Sequence, residues 1–360
     1  MKRYPDLDGL RGIAVLLVLF RHAAREYVNH TGDEALWLRP LLNGWIGVDL
    51  FFVLSGFLIA TNVLAAVVDE GLPLRAYLWR RVRRIVPAYY VVLLVVAGGC
   101  LPFFPPPEKG LWISVAYHLL FLQDYLPANI VVAFWSLGVE EKFYLLVPGL
   151  LIPLARARLG IQLAVVAGLG VLPPVLRYLT WQAHPEITTY AACFGVLRSP
   201  FHLAADGMAV GVMIALLIRA GVELKPSVRA GLFATATAVI FGLLSRPFLL
   251  ESVSFWSVVA LFVVLAWTFG AMVLASVSGP TFASPILGHP ALGWVGRVSY
   301  SLYLVHMLFL GVSYRQFGHL GFLPFLGAFA MYTLVSALAL HHLVERPGQG
   351  LAFFRAARER

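Results

Sequence analysis

The chain has 360 residues, of which 60% are hydrophobic, 13% aromatic and only 12% charged, with a mean hydropathy of +0.82. Soluble domains carry about 25% charged residues, so a soluble globule is excluded. The net charge of +9, which in a soluble chain would suggest nucleic acid, reads here as a record of membrane orientation, and no nucleic-acid partner is expected.

In chain order, apolar segments fall at about 10–28, 45–65, 86–104, 135–154, 160–180, 202–218, 230–249, 253–276, 297–315 and 322–343. Each can cross a hydrocarbon core of about 30 Å as a helix. The expected fold is therefore all-α and polytopic, with about ten transmembrane helices. A further stretch, 111–126, is short and holds Trp112, Tyr117, His118 and Tyr125, which fits an interfacial or re-entrant piece. The first segment carries Asp8, Arg11 and His22 and lacks a small-residue cleavage site, so it is expected to be a span and not a signal peptide. Cys100 and Cys193 lie in apolar surroundings and read as buried packing residues, unpaired.

Loop charges orient the segments, because short cytoplasmic loops are enriched in Lys and Arg. With the N-terminus inside, the cytoplasmic side receives Lys2, Arg3, Arg75, Arg80, Arg81, Arg83, Arg84, Arg156 and Arg158, and further on Arg219, Lys225, Arg229, Arg346, Arg355, Arg358 and Arg360. The outside receives Arg39, Lys109, Arg177, Arg246 and Arg315. Both termini are expected in the cytoplasm.

An ionisable side chain at membrane depth is costly unless it lines a cavity or finds a partner, so function is sought at such groups. Arg11 and His22 are eleven residues apart, only about 20° from three full turns, so they share a helix face, and about 16 Å apart along the axis. A cation near one surface and a titratable base beyond the midplane suit an anionic donor entering from the cytoplasm. The alternative is an anchoring arginine and an interfacial histidine. WSLGVEEKFY, 135–144, opens the fourth segment with Glu140, Glu141 and Lys142, which reads as functional or as a solvated helix start. Arg75, Arg80, Arg81, Arg83 and Arg84 precede the third segment. Topology and lipid headgroups account for such a run, but Arg81 and Arg84 also share a face able to clamp a phosphate. Asp206 lies within the sixth segment close to His202, and His306 lies in the ninth, where a lone histidine reads first as a packing residue.

Other chemistries lack their signatures. The chain has no G-x-S-x-G elbow, GK[ST] phosphate loop, HExxH or CxxC. Adjacent His341 and His342 do not share a helix face, and no metal is expected. Gly207 to Gly211 matches a small-xxx-small helix contact.

Taken together, LDGLRGIAVLLVLFRH, GVDLFFVLSGFLI, RRVRRIVP, WSLGVEEKFY, SYSLYLVH and LVERP resemble, in order, the acyltransferase-3 family of integral membrane acyltransferases. The resemblance covers essentially the whole chain, with 1–345 as the transmembrane domain and 346–360 as a short basic cytoplasmic tail. It implies the stand-alone form without an SGNH domain, in a bacterial inner membrane. The implied reaction moves an acyl group, usually acetyl, from cytoplasmic acyl-coenzyme A to a hydroxyl of a glycan such as O-antigen, exopolysaccharide or a lipid-linked saccharide.

Residue by residue, the resemblance assigns His22 as general base of the Arg-x10-His pair, with Arg11 at the donor. Arg81 and Arg84, with Arg80, would bind the phosphates of coenzyme A. Glu140, or failing it Glu141, would orient His22 or a cation. Asp8, Ser55, Trp135, Tyr144, His306 and Glu345 match supporting positions, and Asp206 is added from its depth. Lys142 departs from the common Gln and would alter the charge around the acceptor site. A transporter or flippase of glycans or small solutes is the competing reading from another class. The acceptor, its acylated position and the oligomeric state are not specified by sequence.

Overall fold

The computed structural model describes residues 4–33, 35–126 and 130–348. Lys2, Arg3 and the basic residues Arg355, Arg358 and Arg360 of the expected tail lie outside the described residues. Among the described residues there is no strand, and eleven helices have nine residues or more: α1 Pro5–Thr31, α2 Gly47–Val63, α3 Leu74–Ala97, α4 Leu111–Leu119, α5 Trp135–Leu154, α6 Leu159–Ala183, α7 Asp206–Arg219, α8 Pro226–Leu244, α9 Leu261–Ser278, α10 Pro290–Phe317 and α11 Phe322–Leu340. Local chemistry sets several ends. Proline occupies the first turn of α1, α8 and α10, where its missing N–H is no loss. Gly32 stops α1 at φ 68°, returning its N–H to Val28, a left-handed cap that favours glycine.

Each of the ten apolar segments overlaps one of these helices, and α4 covers the start of the 111–126 stretch. Six helical stretches are long and apolar enough to cross a membrane, those containing α2, α6, α8, α9, α10 and α11, and the chain is a multi-pass membrane protein. The other four carry charge or are short. α1 holds Asp6, Asp8, Arg11, Arg21 and Arg25, α3 the arginine run, and α5 Glu140 to Lys142, while α7 has only 14 residues. Of these, α1, α3 and α5 line the cavities described below, together with α2 and α10.

Burial separates periphery from centre. Only 17% of the apolar window of α6 and 11% of that of α8 is buried in protein, against 61% for the stretches holding α9 and α10, so the first two present their apolar surface outward. α1 is central, with Leu10, Ala14, Val15, Ala23 and Ala24 wholly buried, and it packs against α10 and α2. The α2–α7 crossing depends on glycine. A Cβ at Gly211 would stand 2.2 Å from the Val53 carbonyl oxygen, and one at Gly56 2.1 Å from that of Met208, whereas one at Gly207 meets nothing closer than 3.5 Å. The small-xxx-small expectation therefore holds at its second glycine. Gly211→Ala is expected to cost about 3 kcal/mol of stability through backbone overpacking, while Gly207→Ala leaves the melting temperature unchanged. Thermal unfolding of the two variants in detergent checks the contrast.

Two sequence expectations are corrected here. Arg177, counted as an outer loop charge, is fully buried near the end of α6 and pairs with Asp206, so it carries no topological information. Cys100 is exposed and not buried, because α3 stops at Ala97 and Gly98–Gly99 carry the chain out of the bundle; both cysteines are free.

The start of α1, the arginine stretch of α3 and the end of α11 meet at one end of the bundle. Arg11 donates to Ser299 (3.3 Å), Tyr300 to the Ile85 carbonyl (2.8 Å) and Ser301 to Glu345 (2.8 Å). Glu345 also receives His341 Nδ1 at 2.7 Å, and so ties the turn after α11 to α10.

Candidate functional site

Two cavities lie along α1. The first, of about 290 Å³, is bounded by the N-terminal half of α1 and by α2, α3, α5 and α10. Ser136, Glu140 and Tyr144 face it from α5, since residues four apart on a helix share a face. Asp8, Arg11, Ser55, Arg81 and Arg84 complete its polar wall. Ser55 donates to Glu140. Arg81 lies over the Tyr144 ring and donates to Glu141 at 2.9 Å, with Glu140 at 3.7 Å. Its buried Nε has no hydrogen-bond partner among the described residues. Arg84 is exposed at the cavity's edge, and Arg80, also exposed, is outside the lining.

The second cavity, of about 700 Å³, is lined by Arg21, His22 and Arg25 of α1, by Trp45 and Trp135, and by the segment from Tyr190 to Arg198. That segment ends in a π-helical turn, Phe194–Arg198, an irregularity that recurs at functional sites. Val48 and Tyr303 line both cavities and form their common wall. Tyr303 is fixed there, its hydroxyl donating to the Ala133 carbonyl (2.9 Å) and sharing a hydrogen bond with Ser136 (2.6 Å).

The His22 ring lies 5.2 Å from that of His306, centroid to centroid. His306 is wholly buried, and its Nδ1 donates to the Tyr303 carbonyl at 2.8 Å. A carbonyl only accepts, so Nδ1 holds the proton, and Nε2 is left buried without a partner among the described residues.

The sequence candidates therefore divide. Asp8, Arg11, Ser55, Arg81, Arg84, Glu140 and Tyr144 meet at the first cavity, and Glu141 holds Arg81 from just beyond it. His22 and Trp135 face the second, with His306 against His22. Glu140 stands 3.7 Å from Arg81, and it and His22 line different cavities. Asp206 reaches neither. Its partner is Arg177 at 2.6 Å, while His202 stacks on Tyr125.

Lys142 lies outside the lining of both cavities. It donates to Asp124, to the Phe121 carbonyl (2.5 Å) and to the Gly138 carbonyl (3.2 Å), so its charge is taken up by a wholly buried carboxylate. Asp124 also receives the Phe201 N–H at 3.0 Å, and the pair pins the interfacial segment to α5. On α4, burial pulls the His118 imidazole down to about 4, leaving a neutral ring that meets the Tyr89 hydroxyl at 2.9 Å.

Sequence reading missed Arg21, Asp49, Arg198 and Tyr303. Asp49 stands within the apolar GVDLFFVL run and is 7% exposed, so the membrane-depth criterion applied to Asp206 would have found it. Arg198 donates to both Asp49 oxygens at 2.9 Å.

The acyltransferase-domain family, acyltransferase-3, matches residues 4–341. The chain is similar to the "Peptidoglycan O-acetyltransferase OatA" of Listeria monocytogenes, with 29% identity over 329 residues, covering 85% of this chain and 49% of that protein. It is 26% identical over 376 residues to the "Putative peptidoglycan O-acetyltransferase YrhL" of Bacillus subtilis, covering 95% of this chain and 54% of the other. The chain thus spans about half the length of these curated relatives. No solved structure matches it.

Proposed function

Because the chain belongs to the acyltransferase-3 family, we propose that it is a membrane O-acyltransferase that moves an acyl group, acetyl by the relatives' example, from acyl-coenzyme A to a saccharide hydroxyl. The observation that carries this reading is the pair of cavities sharing the Val48–Tyr303 wall, Arg11, Arg81 and Arg84 lining one and His22 the other. Donor and acceptor can then reach one point from opposite ends of the bundle. We take the Arg84 end as cytoplasmic, from the excess of arginine and lysine in the loops assigned there, in a bacterial inner membrane with ten spans and both termini inside.

The first cavity fits an anionic donor. Arg84 stands at its edge, Arg11 inside it, and Arg81 carries an unpartnered buried Nε. Arg84, Arg11 and Arg81 would hold the phosphates of coenzyme A, with Arg80 on the exposed side of the same helix. The donor supplies the activated thioester. Glu140 and Glu141 keep Arg81 oriented. His22, as a neutral imidazole, takes the proton of the acceptor hydroxyl as its oxygen bonds to the acyl carbon, and it returns that proton to the departing thiolate, which leaves as coenzyme A.

Purified protein in nanodiscs is expected to release coenzyme A from acetyl-coenzyme A in proportion to acetylated saccharide. Saccharide movement without coenzyme A release would overturn the reading in favour of a flippase. Arg84→Glu is expected to weaken coenzyme A binding about tenfold, the value of one charge-assisted contact. Calorimetric titration checks it, and an unchanged affinity removes Arg84 from the donor site.

A further inference from the structure

The second cavity has a charge that a neutral sugar hydroxyl does not require. Arg21 is 7% exposed, lines the cavity, and its buried Nη1 has no hydrogen-bond partner among the described residues. One turn on, Arg25 lines the same cavity from an exposed position, and both guanidinium groups lie over the Phe248 ring, at 5.2 and 6.0 Å from its centroid. Two cations thus share one aromatic ring. Among the described residues, none of those lining the cavity is a carboxylate. Asp49 accepts both of its hydrogen bonds from Arg198, and Glu26, next to Arg25 in sequence, is outside the lining and lies 4.0 Å from His30. A buried guanidinium with a free N–H, beside a second cation and with no carboxylate lining the cavity among the described residues, is a site built for an anion.

From this we infer that the acceptor is an acidic saccharide, and that Arg21 binds its oxyanion while the adjacent His22 faces the hydroxyl to be acylated. The inference rests on the acyl-transfer reading above and names its substrate class. Arg21 and His22 are consecutive on α1 and open into the same space, so the anion and the reactive hydroxyl belong to the same or neighbouring sugar units. Trp45, Trp135 and Tyr190 supply flat faces in that space, on which sugar rings stack. A cavity of about 700 Å³ lies within the size range of small-molecule sites. Phosphate and carboxylate share the recognising chemistry, and a planar guanidinium takes either through paired hydrogen bonds.

The test uses the full chain in nanodiscs of neutral phosphatidylcholine, with three probes: glucosamine 1-phosphate, tetragalacturonate and neutral chitotetraose. At least one acidic probe is expected to bind tenfold or more tighter than the neutral one, with an affinity that falls as salt rises. Whichever acid wins identifies phosphate or carboxylate as the anion. Arg21→Gln is expected to bring the acidic probe down to the neutral level, and Arg21→Lys to retain part of the preference. If Arg21→Gln does not fold, Arg25→Gln at the exposed edge is expected to reduce the preference about threefold. Equal binding of acidic and neutral probes, or a preference unchanged in the folded variants, overturns the inference. Acetyl release on the same preparations separates the two levels. Turnover on a saccharide without acidic preference removes the anion site alone. Arg21-dependent binding with no acetyl release supports the anion site and removes the acyl-transfer reading.

Discussion

His22→Ala is expected to abolish acyl transfer, lowering turnover about 10³-fold or more, within or beyond the range contributed by a positioned general base. The expectation is specific because His22 has so little structural work to do. It makes no hydrogen bond among the described residues, it is only partly buried, and it faces open volume. Its loss removes a ring contact with His306 and leaves the tight α1–α10 packing in place. The variant should therefore purify with a normal melting temperature and bind coenzyme A as before, since Arg11, Arg81 and Arg84 lie at the other cavity. Coenzyme A release, coenzyme A affinity and thermal unfolding measured together give the answer. Loss of turnover with the other two intact fits a base. Retained turnover would remove His22 from that role, and loss of all three would mean a role in folding.

The same residues show how far sequence carries. The face shared by Arg11 and His22 follows from helical periodicity alone, and in the structure both open into cavities on either side of one wall. The arginine run and the two glutamates of α5 were visible for the same reason, as charges lying beside apolar segments. Hidden were the partners across helices. Ser55 and Glu140 are 85 residues apart and Asp49 and Arg198 are 149, and no local pattern says which faces of which helices meet. The helix count shows the same boundary. The segments that fail a simple apolar-length criterion, α1, α3, α5 and α7, are those that carry the polar groups of the cavities or are short, so a site built inside the membrane weakens the very signal that announces its helices. Asp206 illustrates the opposite error, because depth and charge marked it correctly as costly without saying whether its partner was a ligand or another helix.

Asp206→Ala is accordingly expected to damage the fold and spare the chemistry. Asp206 Oδ2 receives Arg177 Nη2 at 2.6 Å, and Arg177 Nη1 donates to the Leu203 carbonyl, also at 2.6 Å. The arginine is wholly buried and lies 4.9 Å above the Phe262 ring centroid, so it has no route to water. Removing one member of a buried pair leaves an uncompensated charge and costs about 3 to 5 kcal/mol, which corresponds to a fall in melting temperature of roughly 10 °C. Asp206→Asn keeps an acceptor oxygen but not the charge and should fall between. The double variant Arg177→Met with Asp206→Leu removes both charges and keeps the volume, and it should recover most of the loss, because the desolvation of two ions disappears with their attraction. Tryptophan-monitored unfolding in detergent orders the three. If the double variant is as unstable as Asp206→Ala, the pair does more than neutralise itself. If turnover per folded molecule falls with Asp206→Asn while stability holds, Asp206 belongs with the catalytic groups. The geometry gives neither cavity access to it, so turnover per folded molecule is expected to stay constant across all three variants.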